Sequence, residues 1–406
     1  LYGGILILKF RKALDIIFIF LLLVALAVSV QASEDKFTQD RYNLSHKDAK
    51  IRGEAAWALG KSGDSRAVGP LVQALRDGDR NVREWAGLAL VKMGKPAVEE
   101  LIFALESKDD LVRWQAAATL GLINDNRAVL PLISALGSMS SETRYWAAVS
   151  LGLLNDSQAK EELLLALGDG NRSVRAASGW ALRSIEGAAA TDLLIQILQD
   201  SNGLRRLGAT EALAKTDDKK AVGPLIQALQ DGDNVVRAEA ARALGEINDS
   251  SAVDPLVRIL GDNDNVVRSQ AMDALAAIGR PASQALIIVL ENGDKLMKQG
   301  AAEVLGEIKE ERAIEPLIVA FQSKDMREFA VQALVNINRS RAVEPFIQLL
   351  QDHNQTSDIR ADAAWALGEA GDAKANEALL QAMSAEEDND VRINAARALK
   401  KVKASA

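Results

Sequence analysis

Apolar positions along this chain fall into a pattern that returns about every thirty-one residues. In the stretch from Val236 to Gly245, counting from Arg237 as zero, positions three, four and seven (Ala240, Ala241, Leu244) lie on one helical stripe, and positions one, two and five lie opposite. The same stripe recurs as Ala55, Ala56 and Leu59 and as Ala363, Ala364 and Leu367. Turn residues precede it: in Asp231-Gly232-Asp233-Asn234, Asp233 stands where a carboxylate caps the free amides that open the helix. The segment from Ile247 to Val253 then turns the chain. Pro255 opens a second helix, where its missing amide costs nothing, and that helix is expected to bury Leu256, Val257 and Leu260. Glycine at position eight (Gly60, Gly121, Gly152, Gly245, Gly306, Gly368) is expected to let a partner helix come close, at some cost in helix propensity.

Each unit is thus a pair of antiparallel helices that cannot hide its apolar faces alone, and repetition at this period predicts a stacked array. A basic residue marks the beat: Arg52, Arg83, Arg113, Arg144, Arg175, Arg206, Arg237, Arg268, Lys298, Arg327, Arg360 and Arg392 each stand seven residues before a leucine. The pattern predicts an all-α solenoid of about eleven and a half two-helix repeats over residues 48–403. At roughly 10 Å per helix pair, such an array is expected to run on the order of 100 Å. Residues 33–47 are polar and are expected to shield the first repeat. Val391–Lys400 forms a half repeat closed by Lys400, Lys401 and Lys403, cations suited to a helix C-terminus. Spacing is thirty-one through most of the chain but thirty-three between Arg327 and Arg360, where residues 352–358 lengthen a turn. Such an insertion is either functional or simply tolerated.

The first thirty-two residues stand outside this register. Lys9, Arg11 and Lys12 lead into the apolar run 16–30, followed by Gln31 and Ala32, the order of a secretory signal with a cleavage site before Ser33. The rival is an uncleaved anchor, since the run is short for a span of about 20 residues but tilt or bilayer thinning accommodates it. Either reading places the repeats outside the cytoplasm, secreted or membrane-tethered through residues 9–32. Net charge is −8, and removing Lys9, Arg11, Lys12 and Asp15 leaves −10, so the body is too acidic to suit nucleic acid. Cysteine is absent, which decides little.

The frame Val-Arg-x-x-Ala-Ala-x-Ala-Leu-Gly, followed by Asp-x-x-Ala-Val-x-Pro-Leu-Ile-x-Ala-Leu, resembles the HEAT repeats of the phycobilisome-lyase-like type, from about Asp48 to Lys400. The resemblance implies a right-handed α-α superhelix of the HEAT/armadillo type. It says less about activity, because this repeat family includes bilin lyases, a di-iron deoxyhypusine hydroxylase and many scaffolds. It also implies a structural ladder pairing Arg83, Arg113, Arg237, Arg268 and Arg392 with turn carboxylates such as Asp79, Asp109, Asp233, Asp264 and Asp388. Lys298 lacks the guanidinium fork and Asn171 replaces the aspartate, so the ladder is expected to weaken there.

Chemistry is sparse. His46 and His353 are the two histidines, and neither lies in a metal-binding arrangement, so hydroxylase activity is not expected. No phosphate-binding loop or nucleophile elbow occurs. The alternating oxygens of Asp77-Gly-Asp79-Arg-Asn81, Asp231-Gly-Asp233 and Asp262-Asn-Asp264 lack the glycine and distant glutamate of a calcium loop and read as capping turns. Six Asn-x-Ser/Thr sites, at Asn43, Asn155, Asn171, Asn248, Asn338 and Asn354, are glycosylation acceptors or ordinary turn residues. No catalytic residue, cofactor or metal is assigned.

Two surfaces remain. Trp57, Trp85, Trp114, Trp146 and Trp180 put one indole in each of the first five repeats, at positions opposite the buried stripe, with Trp365 alone near the far end. They form either a binding strip or extra packing over the neighbouring repeat. On the second helices, the position opposite the core carries Gln73, Phe103, Ser134, Leu165, Gln196, Gln227, Arg258, Ile288, Val319, Gln348 and Gln381. This mostly neutral row, interrupted by Phe103 and Leu165 among others, suits a protein or peptide better than a polyanion. The expected function is a non-enzymatic scaffold with a protein partner. The alternative is a bilin lyase-like or other chromophore-handling enzyme, and a self-associating envelope component is a third class.

Overall fold

The computed structural model describes residues 33–216 and 218–405, together with 22, 23, 25, 26 and 31. The leader expected over residues 1–32 therefore lies almost wholly outside the described residues. Among them, every regular element is helical, and no single helix is long and apolar enough to cross a membrane.

The chain divides into two compact units, residues 1–187 and 188–406. In the first, residues 33–43 are helical, and four helix pairs follow. Their first helices (helix A) are Ala49–Ser62, Arg80–Met93, Asp110–Ile123 and Ser141–Leu154, and the unit closes on a further helix A, Arg172–Glu186. The intervening second helices (helix B) each enter through a short 3-10 turn, as Ser65–Ala67 does before Val68–Ala74. The second unit begins on the helix B Ala189–Ile197. It continues with helix A at Gly203–Leu213, Asn234–Ile247, Asn265–Ile278, Lys295–Glu307, Arg327 onward and Ser357–Ala370, and ends on Asn389–Ser405. Arg327–Gln351 runs as one helical stretch but breaks at Asn338, whose backbone is extended at φ −163° and ψ 99°, so the two-helix unit survives there.

The periodic stripe is the core of each unit. Ala55, Ala56 and Leu59 are buried in the first, and Ala240, Ala241, Leu244, Leu256, Val257 and Leu260 in the second. Helix A stops where the chain takes a left-handed residue: Asn124, Asn155 and Asn248 hold φ of 57°, 53° and 55°, and Gly63 holds 71°. The next residue but one or nearer is an aspartate that caps the 3-10 turn, as Asp249 accepts from the Ser251 amide at 3.0 Å. Asn155 and Asn248 therefore have a folding role. Asn171 caps a helix, and Asn338 accepts from the Arg341 amide at 3.2 Å.

The position-eight glycines bring successive A helices together. A Cβ on Gly60 would stand 2.5 Å from the Ala89 Cα, and one on Gly245 would stand 2.7 Å from the Ala274 Cα. The close partner is thus the next repeat's helix A, at a separation no side chain fits.

The ends behave as caps. Arg66 holds Glu34 at 3.0 Å and lies over the Phe37 ring at 4.5 Å from its centroid, which docks residues 33–43 on the first repeat. At the other end, Lys401 pairs with Glu369 at 2.5 Å.

Candidate binding surfaces

The marker arginines form a ladder, but with other carboxylates than those expected. Arg52 holds Asp77 through two parallel bonds of 2.7 Å, and Arg144 holds Asp169 at 2.6 and 2.9 Å. In the second unit, Arg206 holds Asp231 at 2.7 and 2.8 Å, and Arg237 holds Asp262 at 2.8 and 2.9 Å. Each acceptor lies 25 residues ahead of its arginine. In these four the remaining Nη1 donates to the carbonyl six residues behind it, as Arg237 does to Asp231 at 2.9 Å. Asp231 therefore joins two arginines, one through its side chain and one through its backbone.

The expected partners do a different job. Asp79, Asp109, Asp233, Asp264 and Asp388 accept from the amides of Asn81, Leu111, Val235, Val266 and Asp390 at 2.8–2.9 Å, capping the helices they precede. Of the five expected arginines, Arg237 makes a carboxylate pair of the ladder type. Arg83, Arg113, Arg268 and Arg392 grip the carbonyls of Asp77, Ser107, Asp262 and Glu386. Ahead of the first three, the ladder position carries Lys108, Ser138 and Gly293, none of them an acid. Asn171 does not weaken the pattern, because a cap needs only an acceptor and its carboxamide reaches the Ser173 amide at 2.9 Å. Lys298 makes a single bond to the Glu291 carbonyl at 2.8 Å, as a residue without a fork must.

Charge follows this geometry. Burial pushes the Asp231 carboxyl up, but the hydrogen bond from Arg206, the Asp233 amide and the fields of Arg206 and Arg237 outweigh it, leaving it below the usual range. At Asp262 the Arg237 hydrogen bond is the largest influence, and the net direction is again down. In the lengthened turn, Asp352 accepts from the Asn354 amide and the Gln355 carboxamide at 3.0 and 3.2 Å. Arg327, for which Asp352 would be the ladder acceptor, pairs with Asp362 instead. Arg360 restores the pattern with Glu386 at 3.2 Å, and the exposed His353 stands 3.9 Å from the same carboxylate. His46 is a local acceptor, taking the Asp48 amide at 3.0 Å on Nδ1.

All eleven helix-B positions named from the sequence are exposed. In the first unit, Phe103 is 77% exposed, between Gln73 and Ser134, and Leu165 lies at the next equivalent place. In the second, Ile288 and Val319 are exposed on adjacent repeats beyond Gln196, Gln227 and Arg258. Short helix B segments produce this row: Val98–Ala104 buries Val98, Leu101 and Ala104, which turns Phe103 outward. A further exposed apolar row, not singled out from the sequence, comprises Leu204, Val235, Val266 and Leu296, two positions before four successive markers. Its signal was an apolar residue at the solvent side of the first helical turn.

The tryptophans divide. Trp57, Trp85 and Trp180 are 38%, 41% and 37% exposed, whereas Trp114, Trp146 and Trp365 are half-buried. Trp57 and Trp85 meet edge to face at 5.4 Å, and Trp114 stacks on Trp146 at 6.2 Å. Trp180 lies over Gly152, and Trp85 lies over Gly53, where a Cβ would approach its Cδ1 to 3.0 Å. The indoles thus pack across repeats, and three of them keep more than a third of their surface in solvent.

Helix pairs stacked on one another through helix A and tied by a turn ladder define an all-α repeat protein of the solenoid class. The model for HEAT repeats matches residues 41–120, 129–214, 191–276, 222–290, 259–325 and 319–400, and the PBS lyase HEAT-like repeat matches residues 112–138. The chain belongs to the HEAT-repeat family. A phycocyanobilin lyase subunit alpha from Picosynechococcus sp. is 40% identical over 93 residues, covering 20% of this chain and 35% of that relative. The match therefore spans about a third of the relative's length. Among solved structures, Kap95p, in a structure with RanGDP, has a TM-score of 0.50 at 15% identity over 92% of this chain and 61% of its own. Kap121p bound to Ste12p has a TM-score of 0.51 at 12% identity, over 87% and 48%. At these identities the likeness shows the fold alone.

Proposed function

We propose that this chain is a non-enzymatic scaffold that binds a protein partner through the helix-B face of its repeats. The observation that carries the reading is the row itself: eleven equivalent positions, all exposed, mostly neutral, with Phe103, Leu165, Ile288 and Val319 as apolar anchors. Exposed apolar residues ringed by uncharged polar ones suit a protein surface. The order of basic, apolar and small residues over 9–32 supports action outside the cytoplasm, secreted or membrane-tethered. The test is affinity capture from the native membrane fraction with the wild-type chain and with F103E/L165E and I288E/V319E. A partner recovered by wild type and lost by the charged variants, all melting alike, is the expected result; equal recovery by all three removes the reading.

A second reading, chromophore handling, is favoured by the similarity to a phycocyanobilin lyase subunit. Mixing the purified chain with a linear tetrapyrrole and following visible absorbance tests it. An unchanged bilin spectrum closes it.

A further inference from the structure

A cleft beside the Trp57–Trp85 pair lies on the helix-A side of the first two repeats. It encloses about 420 Å³, and its floor is Gly53, whose missing side chain leaves room for the Trp85 ring. Both indoles line it and stay 38% and 41% exposed, and an indole face carries the negative end of its quadrupole. Two carboxylates share the lining: Glu54, with a 68% exposed side chain, and Asp79, which spends Oδ1 on capping the helix Arg80–Met93. The one cation lining the cleft is Lys50. Its side chain is 82% exposed and stands at 4.0 Å from Glu54.

We infer that this cleft takes an arginine side chain of a partner protein, its stem and guanidinium plane against Trp57 and Trp85 and its charge toward Glu54. An apolar wall with an electron-rich face and an acidic rim distinguishes such a group from its competitors. An aliphatic side chain would add nothing to Glu54 beyond its exposed 4.0 Å pair with Lys50, and an anion would meet two carboxylates. A guanidinium satisfies both halves, because it stacks on aromatic faces and pairs with carboxylates. The protein-binding reading above enters only as the source of the arginine; the chemistry of the cleft stands apart from it.

The experiment uses the full chain carrying ¹⁵N-labelled indoles, with the Trp57 and Trp85 cross-peaks assigned by W57F and W85F. N-acetyl-arginine methylamide, the citrulline analogue as neutral isostere and the norleucine analogue as apolar control are titrated in turn. The expected result is saturable shifts of both cross-peaks with the arginine amide, and binding about two- to fivefold weaker for citrulline, the size of an exposed cation–π contact. E54Q should weaken the arginine amide by a similar factor while leaving the norleucine response unchanged. Equal shifts from arginine and norleucine amides would make the cleft merely apolar, and no shift from arginine amide in the folded chain would remove the site. Because no partner is present in these titrations, their outcome is separate from that of the capture experiment.

Discussion

Arg206 and Asp231 face each other in a fork, Nε to Oδ2 at 2.7 Å and Nη2 to Oδ1 at 2.8 Å, while Asp231 lends its backbone carbonyl to Arg237. One residue thus links two repeats, with little of either charged group left in solvent. Asp231→Asn keeps the shape but loses the charge-assisted pair, and is expected to cost about 1.5–3 kcal/mol in urea unfolding. Asp233→Asn, two residues on, should be neutral within a few tenths, because Asn171 and Asn202 already cap helices equally well. Equal losses at the two positions would contradict the division of labour.

That division explains how far the sequence was legible. The helical stripe, the position-eight glycines, the capping role of Asp233 and the outward helix-B row all follow from periodicity, which fixes the face of a helix without knowledge of its neighbours. The ladder does not. Asp231 and Asp233 are both turn acids of similar composition, and only the path of the turn decides which one looks back along the stack. The arithmetic was nonetheless present: the ladder acid stands 25 residues after one marker and 6 before the next. The tryptophans were ambiguous for a related reason, since a position opposite the stripe of its own helix can still lie against the adjoining repeat, as Trp180 does over Gly152.

Acid should loosen the array through the same carboxylates. Asp77, Asp169, Asp231 and Asp262 all titrate below their ordinary value in the folded chain. A depressed folded value means that their stabilisation is complete above the unfolded pKa, about 3.9, and is lost as pH falls through the folded one. Thermal unfolding followed by circular dichroism should give a Tm that is nearly flat from pH 7 to about 5 and falls steeply below about 4. D231N/D262N should show a shallower fall. An identical acid slope in this variant would assign the effect to other groups.

Glycine to alanine should change sign with position. At Gly245 the new methyl would meet Ala274 at 2.7 Å from Cα and 2.9 Å from Cβ, backbone and a side chain with nowhere to move. A loss of about 1–3 kcal/mol from overpacking should exceed the gain of about 1 kcal/mol in helix propensity. At Gly87, inside the helix Arg80–Met93, the added carbon would make only an ordinary contact with Thr119 Oγ1 at 3.7 Å, so the propensity gain of about 0.5–1 kcal/mol should appear alone. Urea midpoints moving in opposite directions are the expected outcome.

Iodide quenching separates the two populations of indoles. Trp57, Trp85 and Trp180 expose more than a third of their surface, whereas Trp114 and Trp146 are stacked on each other and half-buried. In variants retaining Trp57, Trp85 or Trp180 alone, with the others changed to phenylalanine, the quenching constant should exceed that of variants retaining Trp114 or Trp146. Phenylalanine keeps most of the packing area, and circular dichroism melts identify any variant that has lost its fold. Uniform protection would leave the run as packing between repeats and take away the aromatic surface on which arginine binding beside Trp57 and Trp85 depends. Uniform access would mean that the cross-repeat contacts are too transient to shield an indole, and would equally exclude a preformed cleft.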